Sequence, residues 1–310
     1  MAEERRFSDG RILVVAFEGW NDAGEAASGA ASVLKDSLGL VPIHEVDPEQ
    51  YFDYQFTRPV VYVDDEGRRR LRWPAATVFG PSPDPDPLPA GVAPETEGPS
   101  LQRIANVYVM VGSEPSRSWK SFAAEVLDAA LVADVTGIVL LGAMLADVPH
   151  TRPISIFASS ESAELRDQLE LERSSYEGPV GILSVLADVA EVVGIPSVSI
   201  WASVPHYVHN APSPKATLAL LRRLEEILDI PIPHGDLEEE STAWESGIDA
   251  IAGEDEDMAA YIEQLEQARD TVDSPDASGE AIAKEFERYL RRRGDGREGR
   301  DGYAAGPGSQ

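Results

Sequence analysis

Residues 11–17 read RILVVAF, an apolar run with no polar alternation, bounded by Gly10 and Gly19. A strand buried on one face alternates and a strand buried on both does not, so this run predicts an interior strand of a covered sheet. The period then changes. Ala23, Ala26, Ala27, Ala30, Ala31, Leu34 and Leu38 recur at helical spacing, and Gly39 supplies the stop. A strand followed by a helix opens the fold.

The alternation continues along the chain. Residues 107–111 and 138–141 are further apolar runs of strand length, residues 197–203 read as another strand, and residues 154–157 as a short one. Between them, Trp119, Phe122, Ala123, Val126, Leu127, Ala130 and Leu131 share one helical face, and helical patterns cover residues 160–173 and 182–193, the latter closed by Gly194. Ser213 offers an N-cap with Pro214 at the first helical position, and Leu218, Leu221, Leu224 and Leu228 make the buried stripe that follows. Strands alternating with helices over residues 11–230 predict a mostly parallel sheet covered on both faces. Residues 55–63 and 68–73 read as two strands about the turn Asp64-Asp65-Glu66-Gly67, a hairpin expected to make the sheet mixed. Residues 81–99 alternate Pro with Asp, Gly and Ser and read as a connector.

After Pro231 and Pro233 the composition shifts: acids dominate residues 236–270, where Arg269 is the only base. Met258, Tyr261, Ile262 and Leu265 form one apolar stripe there, and Ile282, Phe286, Tyr289 and Leu290 form a second. Each stripe is too narrow for a core of its own, so these helices are expected to pack on the main domain or on a partner. Arg291, Arg292 and Arg293 suit a helix C-terminus. The expected organisation is an α/β core over residues 1–235, an acidic helical arm over 236–293 and a disordered, Gly-rich tail over 294–310.

Charge narrows the partners. A net charge of −29 repels phosphate backbones and anionic headgroups, so neither nucleic acid nor a membrane surface is expected as a ligand. Basic residues gather at Arg68, Arg69, Arg70 and Arg72, which read as an exposed hairpin face. The absence of cysteine removes disulfides, thiolate metal sites and thiol nucleophiles together. No secretion signal is expected at the start, and the longest apolar stretch, residues 137–146, is half of a membrane span. A cytoplasmic location is the remaining expectation.

In an open parallel sheet, ligands bind beyond the carboxyl ends of the strands. Four loops there are distinctive: residues 18–24 (EGWNDAG), 112–117 (GSEPSR), 142–152 (GAMLADVPHTR) and 204–210 (VPHYVHN). The first lacks the lysine of a phosphate loop and the G-x-G-x-x-G spacing, and its acids oppose phosphate; Asn21 or Asp22 as a helix cap is the simpler reading. Three histidines fall in two of the loops, but no metal-ligand spacing accompanies them, and no metal or cofactor is expected. No G-x-S-x-G elbow surrounds Ser113. If the chain is an enzyme, Asp22, Glu114, Asp147, His150 and His206 are its candidate acids and bases. Gly19, Trp20, Asn21, Asp22, Gly112, Arg117 and Arg152 are the candidate ligand contacts, the two arginines placed for an anionic group.

Taken together, several segments resemble the family of proteins related to the second proteasome assembly chaperone, in its actinobacterial branch. They are residues 17–24, Arg58-Pro59, Trp73-Pro74, Gly142-Ala143, residues 147–153, residues 176–179, residues 201–208, residues 212–215 and residues 286–291. The resemblance implies a three-layer α/β/α core similar to purine nucleoside phosphorylases and related hydrolases, and a homo-oligomer, with a trimer as one form. It implies protein partners, proteasome α-subunits among them, and a binding or assembly role without enzymatic activity. A hydrolase or phosphorylase acting at the strand ends is the alternative. Archaeal relatives dock through a C-terminal hydrophobic-Tyr-any tripeptide; Tyr303 is not penultimate here.

Overall fold

A computed structural model of the chain describes residues 6–82 and 99–272. In chain order the strands are β1 (Ile12–Glu18), β2 (Val41–Glu45), β3 (Val60–Val63), β4 (Arg69–Arg72), β5 (Ala76–Gly80), β6 (Val107–Ser113), β7 (Gly137–Ala146), β8 (Ile156–Ser159) and β9 (Ser197–Pro205). The helices are α1 (Ala26–Ser37), α2 (Pro48–Tyr51), α3 (Pro99–Ile104), α4 (Trp119–Val132), α5 (Ala163–Leu169), α6 (Ile182–Val192), α7 (Pro214–Leu228), α8 (Leu237–Ala252) and α9 (Glu256–Val272).

Seven strands form the main sheet in the order β2-β5-β6-β1-β7-β9-β8. β1 pairs in parallel with β6 and β7, and β7 with β9, so the unbroken apolar runs lie at the centre. Val14 stands beside Val109 and Val139, all three wholly buried. Alternate residues of β1 feed opposite layers. Ile12, Val14 and Ala16 pack with α1 and α7, while Leu13, Val15 and Phe17 pack with α4 and α6. Each large side chain buried this way contributes about 1.5–3 kcal/mol, which is why the run could not alternate. The fold is therefore three layers, α/β/α.

Several elements differ from the sequence reading. The hairpin β3–β4 forms a two-stranded sheet of its own and does not join the main one. The sheet is mixed because β5 runs antiparallel to β2 and β6, and β8 antiparallel to β9. β2 escaped notice because it is an edge strand, half exposed, with a register shift between Pro42 and His44. Strand β7 runs to Ala146, well past residue 141, because its ladder with β9 continues to Ala146 opposite Pro205. The helix expected over 160–173 is confined to α5, between the cap Ser162, whose hydroxyl accepts from the Leu165 N–H, and the left-handed Glu170.

The arm begins with α8, which packs on α7, and α9 packs on α8; Ile248 and Ala252 of α8 and Ile262 and Leu265 of α9 are buried. Among the described residues no helix is long and apolar enough to cross a membrane. The connector over 83–98, the second arm stripe at Ile282, Phe286, Tyr289 and Leu290, and the tail 294–310 lie outside the described residues.

Candidate functional site

The strand-end loops separate into two groups. After β1, Gly19 takes φ +106°, a conformation that disfavours side chains, and turns the chain so that the Asp22 N–H donates to the Gly19 carbonyl at 3.2 Å. The Asn21 carbonyl accepts the Ala143 N–H at 2.8 Å, holding this loop against β7. The Asn21 amide, wholly buried, donates from Nδ2 to Glu114 Oε1 at 2.9 Å, and the same oxygen accepts the Ile182 N–H at 3.0 Å. Glu114 thus caps the N-terminus of α6, where a carboxylate is also favoured by the helix dipole. A Cβ on Gly181 would stand 2.2 Å from Asn21 Oδ1, which fixes a glycine there.

Asp22 caps α1. Its Oδ1 accepts the Ala27 N–H at 2.7 Å and the Ser28 N–H at 3.2 Å, and its Oδ2 accepts the Ser28 hydroxyl at 2.5 Å. Burial pushes its carboxyl up, against the Ser28 and Ala27 donors that hold it down. Arg117 spends its guanidinium on the Glu49 and Gln50 carbonyls, at 2.7 and 3.3 Å. Gly112 lies flat against β5: a Cβ there would stand 2.1 Å from the Ala75 carbonyl oxygen and 2.6 Å from Ala76 Cα.

The second group joins the β7 and β9 loops to the arm. His150 is wholly buried, its Nε2 3.0 Å from Asp249 Oδ1 and its Nδ1 2.9 Å from the Tyr207 hydroxyl, which also accepts the His150 N–H at 2.8 Å. An ionised Asp249 only accepts, so Nε2 carries a proton, and in neutral His150 the Tyr207 hydroxyl donates to Nδ1. Burial pushes the Tyr207 phenol up to about 12, so it is a hydrogen-bond donor and not a nucleophile near neutrality. His206 Nδ1 is 3.5 Å from Asp147 Oδ1, and its ring meets Tyr207 and Tyr261 edge-on. Lys215 donates to the His150 and Arg152 carbonyls at 2.6 and 2.8 Å and pairs with Glu245. Arg152 grips Asp270 with two bonds, at 2.8 and 2.9 Å, and reaches Glu266, which also accepts the Thr151 hydroxyl.

This second group fastens the arm to the strand ends, and it carries a pH dependence. The Arg152 hydrogen bonds hold the Asp270 carboxyl below the usual carboxylate range. A carboxyl depressed on folding contributes stability that is complete above its unfolded value, about 3.9, and is lost as pH falls through the lower folded value. Hydrogen exchange of α9, corrected for intrinsic rate, is therefore expected to accelerate below about pH 4 in the native chain. In Arg152→Ala that step should be absent, α9 exchanging faster already at neutral pH.

The five catalytic candidates do not converge. Asp22 and Glu114 are committed to helix caps on either side of Asn21, while Asp147, His150 and His206 gather around Tyr207 under the arm. A cavity of about 840 Å³ opens beside the edge strand β8, and of all the candidates Trp20 alone borders it. Among the described residues no cluster of three or more His, Asp or Glu side chains is arranged to hold a metal ion. Sequence reasoning passed over Lys215 and the arm carboxylates Glu245, Asp249, Glu266 and Asp270. A signal was there: the four acids stand in two pairs, 245/249 and 266/270, each at i,i+4 on one helix face. Like charges so placed disfavour an isolated helix, and the opposing Lys215, Arg152 and the His150 ring N–H account for them.

The class the fold defines is a three-layer α/β/α core whose strand-end loops are tied into helix caps and an acidic arm. The chain belongs to the PAC2 family, whose model matches residues 16–252. It is similar to a PAC2 family protein from Streptomyces avermitilis, with 39% identity and a TM-score of 0.69 over 81% of this chain and 98% of that one. It is also similar to a proteasome-assembly chaperone homologue from Mycobacterium tuberculosis, with 41% identity and a TM-score of 0.66 over 81% of this chain and 99% of the other. An archaeal proteasome activator from Pyrococcus furiosus, 14% identical with a TM-score of 0.58 over 78% of this chain and 93% of that one, shares the fold. No curated protein is similar enough to count as a match.

Proposed function

We propose that this chain is a non-enzymatic protein-binding factor that acts in the cytoplasm on proteasome α-subunits as an assembly chaperone, itself as a homo-oligomer with a trimer as one form. The observation that carries the binding role is the hairpin β3–β4. Val60, Val61, Tyr62, Val63 and Leu71 are all exposed on it, and Phe56 at its base is 84% exposed. A two-stranded ribbon is marginal in water by itself, and one that keeps apolar side chains exposed on both faces suits a protein-interaction surface. Arg58, Arg69 and Arg72 on the same ribbon suit an acidic partner. The likeness to the mycobacterial proteasome-assembly chaperone homologue supports a partner related to the proteasome. The enzyme alternative draws no support from the geometry, since its acids and bases are divided between two structural networks.

Native mass spectrometry of the chain mixed with proteasome α-subunits of the same organism tests the proposal. A complex with free subunits is expected, weakened about tenfold or more in Val61→Glu/Leu71→Glu, a loss of about 1.4 kcal/mol or more. The absence of any complex with the native chain would sink the proteasome part of the reading, and the same spectra give the subunit count.

A further inference from the structure

The cavity beside β8 touches the networks just described only at Lys215, and its shape is unusual. All four residues of the edge strand line it, so it reaches both faces of the sheet. Ile156 and Ala158 present it to the α7 side, and Phe157, with Trp201 opposite on β9, presents it to the other. At about 840 Å³ it matches the size of a ligand or of several large side chains.

The chain leaves the described residues at the rim of this cavity. Asp270, two residues before the end of α9, is held by Arg152, and the neighbouring Pro153 lines the cavity. Nine residues lie between Val272 and Ile282, and the ten Cα steps span up to about 33 Å when extended. Ile282, Phe286, Tyr289 and Leu290 then follow at i, i+4, i+7 and i+8, the spacing of an amphipathic helix that lays one face into a groove.

Charge agrees with apolar pattern. Residues 284–293 hold five bases, Lys284, Arg288 and Arg291 to Arg293, against Glu285 and Glu287, a basic island in a chain of net −29. At the cavity, Lys215, Arg173, Arg222 and Arg223 are already paired with Glu245, Glu161, Glu238 and Glu226. Glu170 and Glu172 line it too, and their carboxylates have no hydrogen-bond or ion-pair partner among the described residues.

We propose that residues 282–290 occupy this cavity in cis, Phe286 and Tyr289 entering it and the flanking basic residues meeting Glu170 and Glu172. The inference does not depend on proteasome subunits being the partner.

Hydrogen exchange by mass spectrometry on the full chain tests it. In the native chain the amides of 282–290 are expected to exchange about tenfold or more slowly than in Phe286→Glu/Tyr289→Glu. Ala219→Glu, which places a carboxylate on the α7 wall of the cavity, is expected to release the same amides, with protection in β1 and α1 unchanged in both variants. Acrylamide should quench Trp20 and Trp201, which line the cavity, more strongly in both variants than in the native chain. Exchange of 282–290 at the unprotected rate in the native chain overturns the proposal, as does protection that survives Ala219→Glu. Protection that fades on dilution assigns the segment to a second copy of the chain and overturns occupancy in cis.

Discussion

Gly112→Ala is expected to destabilise the protein by about 3 kcal/mol or more, read from the midpoint of urea unfolding. Gly112 sits in β6 directly opposite Ala76 of β5, and the next residue, Ser113, donates its N–H to the Ala75 carbonyl at 2.9 Å. An added methyl would stand 2.1 Å from that carbonyl oxygen and 2.6 and 2.9 Å from the Ala76 Cα and Ala75 carbonyl carbon. All three contacts are backbone, so no side chain can turn aside, and relief requires β5 to move away from β6. The alternative reading, in which Gly112 is small to admit a ligand, predicts a different result. Alanine would then weaken binding while leaving stability within about 0.5 kcal/mol, as at an ordinary surface site.

Lys215→Met is the second large effect, expected at about 2–3 kcal/mol. One ammonium group serves the His150 and Arg152 carbonyls and the Glu245 carboxylate, joining the β7 loop, α7 and α8 at a single point. Its side chain is 15% exposed and that of Glu245 33%, so solvent screens the pair only in part, and the estimate is set below that for a fully buried ion pair. Methionine fills the stem's volume but leaves two carbonyls and a carboxylate unserved. Glu245→Gln keeps an acceptor for the lysine and should cost much less. Exchange of α8 is expected to rise with the loss of Lys215, and an unchanged α8 would show that the arm is held without it.

The central strands were legible because burial on both faces demands unbroken apolar runs, which β1, β6 and β7 have, while β9 alternates serine with apolar residues at its start. α1, α4 and α7 were legible from their buried stripes for the same reason. β2 was not, since an edge strand with Pro42 and exposed Ile43 carries no such demand. The hairpin was legible as a hairpin, but its separation from the main sheet was not, because a two-residue period records pairing within the ribbon and is silent about neighbours. The candidate loops were found by their position after strands, and the division of their side chains between two networks was not legible for a related reason. A sequence names the acids and bases but not the atoms that consume them.

What the sequence determined by itself was therefore local: which runs are buried on two faces, where helices are capped and stopped, and that residues 236–270 hold an excess of acid needing compensation. Tertiary structure alone decided where that compensation comes from. Arg152 and Asp270 are 118 residues apart, as His150 and Asp249 are 99, and no period in the chain relates them. They meet because the ladder of β7 with β9 carries both loops to one end of the sheet, where α8, packed on α7, carries the acids over them.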